Sequence, residues 1–204
     1  MKAVLGVADH GGWAVCVTVA ASRGVPVVVD RRRIETIEPG VPSQPYHHDT
    51  IGMPLADAER LVARVRESVL RTTFERLKAL RGELQPPYTI VAMTLRVPPL
   101  AFVPVTAAEA HQSYNVTCRA DGMMYHDALS TAARRLKLRV ELHDRGEEVA
   151  RAAGRLDVGV EEMEQFLERA GELVGRPWQK EHRLAVAAAV AVLAERQSIS
   201  LPRV

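Results

Sequence analysis

The order of apolar segments along the chain is the feature that most constrains its fold. Three short apolar runs come first, at Ala3 to Ala8, Ala14 to Ala20 and Val25 to Asp30. Turn sequences at His10-Gly11-Gly12 and Ser22-Arg23-Gly24 separate them. Short apolar runs divided by Gly-containing turns are typical of β-hairpins. The first thirty residues therefore predict three consecutive antiparallel strands.

A long helix and a buried strand follow. Apolar residues recur at helical spacing between Pro54 and Glu83, which predicts an amphipathic helix over 54–83. The next strand is predicted over Tyr88 to Leu95, and its residues Ile90 to Met93 are continuously apolar, as in a strand covered on both faces. The proline-containing segment 96–122 has no clear period, so we interpret it as a long loop or insertion.

The last third of the chain predicts one strand among helices. A helix is expected over 123–136, and alternating apolar and polar residues at 138–142 indicate a strand with one solvated face. A third helix is predicted from Glu161 to Val174, and Pro177 opens a fourth whose segment 184–194 is apolar almost all round and therefore buried. The complete order predicts an α/β protein with one mixed sheet.

Composition excludes several classes of protein. The chain has 204 residues, of which 47% are hydrophobic, and a formal charge of +2, which fits a single domain over 1–204 and makes any electrostatic site a local one. The longest apolar run, Leu184 to Ala194, is shorter than the roughly twenty residues of a membrane-spanning helix. A secretory signal is also not expected, because Asp9 to Gly12 interrupts the first apolar run. We therefore expect a cytoplasmic protein with no membrane partner.

This succession of elements resembles the ribonuclease H-like fold, which includes Holliday-junction resolvases and transposase cores. That fold has a five-stranded mixed sheet in the order 3-2-1-4-5 with helices on both faces, and its strands one and four are central. The continuous apolar runs at Ala3 to Ala8 and Ile90 to Met93 agree with central strands, and Pro26 agrees with an edge position for strand three.

The resemblance also implies a site. Nucleases of this fold hold two divalent cations with carboxylates from strand one, the end of strand four and the last helix, because hard oxygen ligands suit Mg²⁺ or Mn²⁺. Asp9 lies where the first-strand Asp belongs, and Glu181 and His182 lie at the start of the last helix. These three residues are the candidate catalytic and metal-binding residues. His143 and Asp144, which follow strand five, are further candidate metal ligands.

Strand four departs from the nuclease pattern. Where an acidic residue is expected, the chain has Met93-Thr94-Leu95-Arg96. One hypothesis is a divalent-metal-dependent phosphodiester hydrolase of resolvase type that acts on nucleic acid. The alternative is a non-catalytic partner-binding or dimerisation module of the same fold with a degenerate nuclease site, forming a homodimer through the 54–83 helix. Asp9-His10-Gly11-Gly12 also resembles the first phosphate loop of the actin and sugar-kinase fold, although no second Gly-rich loop is visible.

Two local patterns complete the set of candidates. Arg31, Arg32 and Arg33 follow the predicted third strand as an uninterrupted basic run, so they are candidate nucleic-acid-binding residues. Five of the aromatic residues lie within four positions of a histidine, Trp13 near His10 among them. The rings cluster at the ends of elements, which favours an aliphatic core and a functional rim that carries the rings.

Overall fold

The structure, a computed structural model, describes residues 1–202 and contains one five-stranded sheet in the order 3-2-1-4-5. The first three strands are antiparallel neighbours, and the last two add in parallel beside the first. This confirms the predicted fold class and strand order. The strands are β1 (Lys2–Asp9), β2 (Trp13–Ser22), β3 (Val25–Glu35), β4 (Thr89–Arg96) and β5 (Arg139–His143).

In the described residues 1–202, six α-helices surround the sheet, and Pro45–Asp49 forms one π-helical turn before the first of them. No helix within residues 1–202 is both long enough and apolar enough to cross a membrane. The helices are α1 (Leu55–Leu84), α2 (Ala107–Ala110), α3 (Tyr114–Arg135), α4 (Glu148–Leu156), α5 (Val160–Val174) and α6 (Lys180–Arg196).

The two faces of the sheet have separate apolar cores. Val4 and Ala8 of β1 pack with α4, α5 and α6 on one face. Leu5 and Val7, which alternate with them, pack with α1 and α3 on the other. Because successive side chains of a strand point to opposite faces, a strand in the middle of this sheet must be apolar at nearly every position. This is why the continuous apolar runs identified the central strands.

Some boundaries differ from the predicted ones. β3 continues to Glu35, so Arg31 to Arg33 lie inside the strand rather than after it. They pair with Val17, Cys16 and Val15 of β2, respectively. The predicted 96–122 loop is irregular only at 97–106 and 111–113. Residues 107–110 form α2, and α3 begins at Tyr114, where the Ser113 side chain accepts a hydrogen bond from the Val116 amide. The sequence did not predict α4. Dimerisation through α1 stays a prediction.

Gly6 determines how closely α6 approaches the sheet. A Cβ at position 6 would overlap the carbonyl oxygen of Ala185 and lie 2.6 Å from its carbonyl carbon. Both atoms belong to the backbone of α6, so a rotamer change cannot relieve the clash. The run of small residues in α6, from Ala185 to Ala189, lets the helix backbone lie directly against β1.

We therefore predict that Gly6→Ala strongly destabilises the protein. Overpacking a well-packed core costs about 1–3 kcal/mol, and a backbone clash belongs at the upper end of that range. Gly82→Ala is the matched control, because a Cβ at position 82 of α1 meets no atom within 4 Å. That variant should be unchanged or up to about 1 kcal/mol more stable, since Ala favours a helix over Gly. Urea denaturation of both variants measures the difference, and equal stability of the two would contradict the close approach of α6.

Candidate functional site

A cleft of about 520 Å³ lies at the carboxyl ends of β1 and β4. Parallel neighbouring strands end at the same edge of a sheet, and ligand sites of α/β proteins form there. The β1–β2 turn and the loop after β4 form two walls, and the first half of α3 forms a third. The lining residues are Asp9, His10, Gly11, Arg96, Val97, Pro98, Pro99, Arg119, Gly122, His126 and Arg145.

Positive charge dominates this cleft. Arg96, Arg119 and Arg145 line it, whereas Asp9 is the one carboxylate among the lining residues. Arg119 donates a hydrogen bond to the Asn115 carbonyl (3.0 Å). Several arginines in residues 1–202 form ion pairs within 4 Å, but Arg96, Arg119 and Arg145 take part in none. Within the described residues, the cleft thus carries three guanidinium groups that have no carboxylate partner.

Hydrogen bonds fix the cleft walls. His126 Nε2 donates to the backbone carbonyl of Arg96 (2.9 Å), which attaches α3 to the end of β4. Tyr125, the residue before it, donates through its hydroxyl to the Ser43 carbonyl (2.8 Å). Asp121, one turn earlier, is buried and accepts the amides of Tyr46 and His47 at 3.0 and 3.1 Å. Burial raises the pKa of Asp121 to about 6. These contacts hold the first half of α3 in place at the cleft.

Asp9 lies on the face of the sheet opposite to α6. It pairs with Ala14 of β2, and Ala14 belongs to the core formed with α1 and α3. Residues directly opposite each other on antiparallel strands share a face. Ala8 is the β1 residue that faces α6. The alternation of β1 therefore directs Asp9 toward α3 and away from the last helix.

The two candidates on α6 lie on the other side of the sheet edge. His182 is buried, and its Nδ1 accepts a hydrogen bond from the Gln179 amide (3.2 Å), so the ring caps the start of α6. Its ring also stacks on Trp178, with centroids 5.9 Å apart. Glu181 is close enough to His10 for its charge to act on that imidazole. Glu181 thus approaches the site, whereas His182 has a capping role.

The candidates after β5 form a different contact. His143 is buried, and its Nδ1 lies 3.5 Å from the carboxylate of Glu148, the first residue of α4. Glu148 was not predicted from the sequence; it is fully buried and also accepts a hydrogen bond from the Gly146 amide (2.8 Å). Asp144 is exposed, and its backbone carbonyl lies 3.4 Å from His143 Nδ1.

The donor set does not fit a two-metal site. No three side chains of His, Cys, Asp or Glu within residues 1–202 converge so that they could hold a metal ion. Asp9 faces α3, His182 caps its own helix and Arg96 lies at the end of β4. A guanidinium at this position repels a divalent cation instead of binding it. Metal binding by Asp9, Glu181, His182, His143 and Asp144 therefore stays a prediction without support from this geometry.

The basic run of β3 has partners within the chain. Arg31 donates to backbone carbonyls of the α5–α6 loop, among them Gly175 at 2.8 Å and Arg176 at 3.2 Å. Arg32 pairs with Asp30 and Glu83, and Arg33 pairs with Glu35. All three guanidinium groups thus stabilise the fold, and their contact with nucleic acid stays a prediction. The cleft arginines were missed because they come from three separate segments and form no run.

Three partly or fully buried histidines, His10, His143 and His182, are expected to make the folding stability depend on pH. Burial is the main cause that lowers the pKa of His10, His143 and His182. Each group then binds a proton more readily in the unfolded chain, whose histidines have a pKa near 6.5. Stability from these groups is fully present above that value and decreases as the pH falls below it.

We predict that lowering the pH from 7.5 to 5 destabilises His143→Gln less than the wild type, because the variant lacks one of the buried imidazoles. Asp121, whose raised pKa acts in the opposite sense, is present in both proteins and does not affect this difference. Urea denaturation at several pH values measures the difference in the free energy of unfolding. His48→Gln, which replaces an exposed imidazole, is the control and should follow the wild-type profile. A His143→Gln profile parallel to that of the wild type would contradict a contribution from the buried ring.

Comparisons with known proteins agree with the fold. No protein-family model and no curated protein sequence matches the chain. Among solved structures, Thermus thermophilus RuvC in complex with a Holliday junction substrate has a TM-score of 0.51 and 14% sequence identity over 96% of both chains. A second structure of T. thermophilus RuvC has a TM-score of 0.50 and 14% identity, over 95% of this chain and 94% of that one. The chain therefore has the ribonuclease H-like fold of the RuvC resolvases.

Proposed function

We propose that this protein binds nucleic acid through the arginine cleft and does not cleave it. The observation that carries the proposal is Arg96, a cation without a carboxylate partner in residues 1–202, at the end of β4 where a nuclease of this fold has an acid. Arg119 and Arg145 line the same cleft from α3 and from the segment after β5. Three guanidinium groups around one cavity favour an anionic ligand.

The chemistry of the guanidinium group favours a phosphate. Arg has planar, fixed N–H donors that match two phosphate oxygens, and it remains charged at any physiological pH. A cleft lined mainly by positive charge has a strong local electrostatic potential. It can therefore attract phosphates although the formal charge of the whole chain is only +2. The cleft arginines would therefore hold backbone phosphates, which supply most of the non-specific affinity for nucleic acids.

The fold supports a polymeric ligand. The structure of T. thermophilus RuvC with a Holliday junction substrate indicates that this arrangement of sheet and helices accommodates DNA. In the present chain the cleft is at the edge of the two central parallel strands and is open to solvent at Gly11 and Arg119. A nucleic-acid backbone that crosses this edge would bring successive phosphates to Arg96, Arg119 and Arg145.

Replacing a cleft arginine should weaken binding and reduce its salt dependence. We predict that Arg96→Ala lowers the affinity for a short DNA oligonucleotide about tenfold at low salt. The slope of log K against log salt should fall in magnitude by about one, because one phosphate contact is lost. Fluorescence anisotropy at several salt concentrations measures both quantities.

Arg76→Ala is the matched control for this experiment. Arg76 is an exposed arginine of α1 that does not line the cleft, and it forms no ion pair within residues 1–202. Arg76→Ala removes the same charge from the chain as Arg96→Ala, and it should leave the affinity for DNA and the salt slope nearly unchanged. Equal losses in the two variants would mean that only net charge matters, which contradicts a cleft-specific site.

A metal-dependent nuclease is the second candidate, and the position of Asp9 in the cleft favours it. The two hypotheses predict opposite effects of Asp9→Asn. If the cleft binds phosphates without metal, the substitution removes the one repelling carboxylate of the lining, and affinity should rise severalfold whether or not EDTA is present. If Asp9 binds Mg²⁺ or Mn²⁺, the substitution should abolish both metal binding and cleavage.

We expect tighter binding by Asp9→Asn, together with no cleavage of single-stranded, duplex or branched DNA by the wild type in Mg²⁺ or Mn²⁺. Anisotropy and gel electrophoresis of labelled DNA provide the two measurements. Metal-dependent cleavage that disappears in Asp9→Asn would overturn the non-catalytic proposal and establish the nuclease.

A further inference from the structure

Three side chains form a continuous stack that ends in the cleft. The His10 and Trp13 rings are nearly parallel, with an interplanar angle of 7° and centroids 3.9 Å apart. The Arg33 guanidinium carbon lies 4.3 Å from the centroid of the Trp13 ring. Arg33 also forms an ion pair with Glu35, in which its Nε lies 2.8 Å from the carboxylate oxygen Oε1. The stack therefore runs from β3 through the start of β2 to the β1–β2 turn.

His10 is the member of the stack that reaches the cleft. Its ring lines the cavity between Asp9 and Gly11 and has Trp13 against one face. Its Nε2 is buried and has no hydrogen-bond partner among residues 1–202. In contrast, the Nε2 of His126, the other histidine of the cleft, donates a hydrogen bond to the Arg96 carbonyl. His10 thus brings an aromatic surface to the same cavity as the arginines.

We propose that His10 stacks on an unpaired nucleobase whose phosphate is held by the cleft arginines, so that the protein prefers single-stranded nucleic acid to duplex. The inference rests on the proposed nucleic-acid binding and adds its substrate class. A base that already stacks on its neighbours in a duplex has no free face for His10. An unpaired base has one, and stacking on aromatic side chains tolerates any sequence.

The electrostatics of His10 suit a base better than a second phosphate. Burial lowers the pKa of His10, and the charges of Arg96 and Arg33 lower it further, against the opposing effect of Glu181 and Asp9. The ring is then neutral at pH 7 and leaves phosphate binding to the guanidinium groups.

Trp13 and Arg33 would hold the His10 ring in position. The parallel contact with Trp13 fixes the plane of the imidazole, and Arg33 covers the next face of the indole. Both faces of Trp13 are thereby occupied within the chain, so a base cannot stack directly on the indole. This arrangement makes His10 the stacking residue and gives Trp13 and Arg33 a positioning role.

The first test compares two ligands of equal length. A fluorescent single-stranded oligonucleotide and the corresponding duplex are titrated by anisotropy against the wild type, His10→Ala and His10→Phe. We expect His10→Ala to weaken single-strand binding about tenfold, within the range for loss of one stacked base, and to leave duplex binding unchanged. His10→Phe keeps a flat ring and should restore most of the lost affinity. An equal loss for both ligands, or no loss, would overturn the proposal.

The second test measures ligand binding by the wild-type protein itself. Adenosine monophosphate and inorganic phosphate are added separately to the wild-type protein, and the His10 ring protons are followed by NMR, identified by their absence in His10→Phe or by sequential assignment. A stacked adenine should shift these protons upfield, whereas phosphate should not. No upfield shift with adenosine monophosphate would overturn the stacking.

The two tests separate the inference from the function on which it rests. If oligonucleotides bind through the arginines but adenosine monophosphate gives no upfield shift, stacking is overturned and the proposed function stands. If adenosine monophosphate shifts the ring but no oligonucleotide binds at low salt, stacking of a base on His10 stands, whereas the proposed nucleic-acid binding and the preference for single strands are overturned. If neither ligand has an effect, both are overturned.

Discussion

The close contact between β1 and α6 at Gly6 is the constraint on which the rest of this structure depends. The helix backbone lies where a side chain of β1 would otherwise be, so the side chains of α6 on that surface are Ala and Val. That contact assigns the even-numbered residues of β1 to the α6 face. Since side chains alternate along a strand, it assigns Leu5, Val7 and Asp9 to the face of α1 and α3.

This alternation has a consequence for chemistry. A carboxylate two residues after Gly6 would face the last helix, but Ala8 occupies that position. Asp9 comes one residue later and faces α3, whose Arg119 and His126 line the same cleft. A carboxylate at position 8 would face the helix that carries Glu181, and two such acids could bind a cation. The carboxylate at position 9 instead faces the basic residues of α3. The packing of α6 against β1 therefore explains why Asp9 and the helix that carries Glu181 lie on opposite faces of the sheet.

The fold could be predicted from the sequence where burial alone decides a pattern. Continuous apolar runs identified β1 and β4 as central, and Pro26 identified β3 as an edge strand, because these features depend on the immediate environment of each strand. The start of α3 was missed since Asn115, Thr117 and Arg119 give no apolar period. The helix begins there because Ser113 caps it and buried Asp121 binds the Tyr46 and His47 amides. Such contacts join distant segments and leave no local signal.

The site residues also fall into those that a local sequence motif predicts and those that only the fold brings together. Asp9 and His10 were visible because a Gly-containing turn after a buried strand is a local motif, whereas Arg96, Arg119 and Arg145 become one cluster only when β4, α3 and the segment after β5 meet. The conspicuous run Arg31 to Arg33 is, in contrast, satisfied by carbonyls, carboxylates and the Trp13 ring. Arginines with partners inside the chain must lose those partners before they bind a phosphate, and this cost lowers their net contribution. Arg96 and Arg145 have no such ion pairs in the described part of the chain, so their attraction for an anion is not reduced in this way.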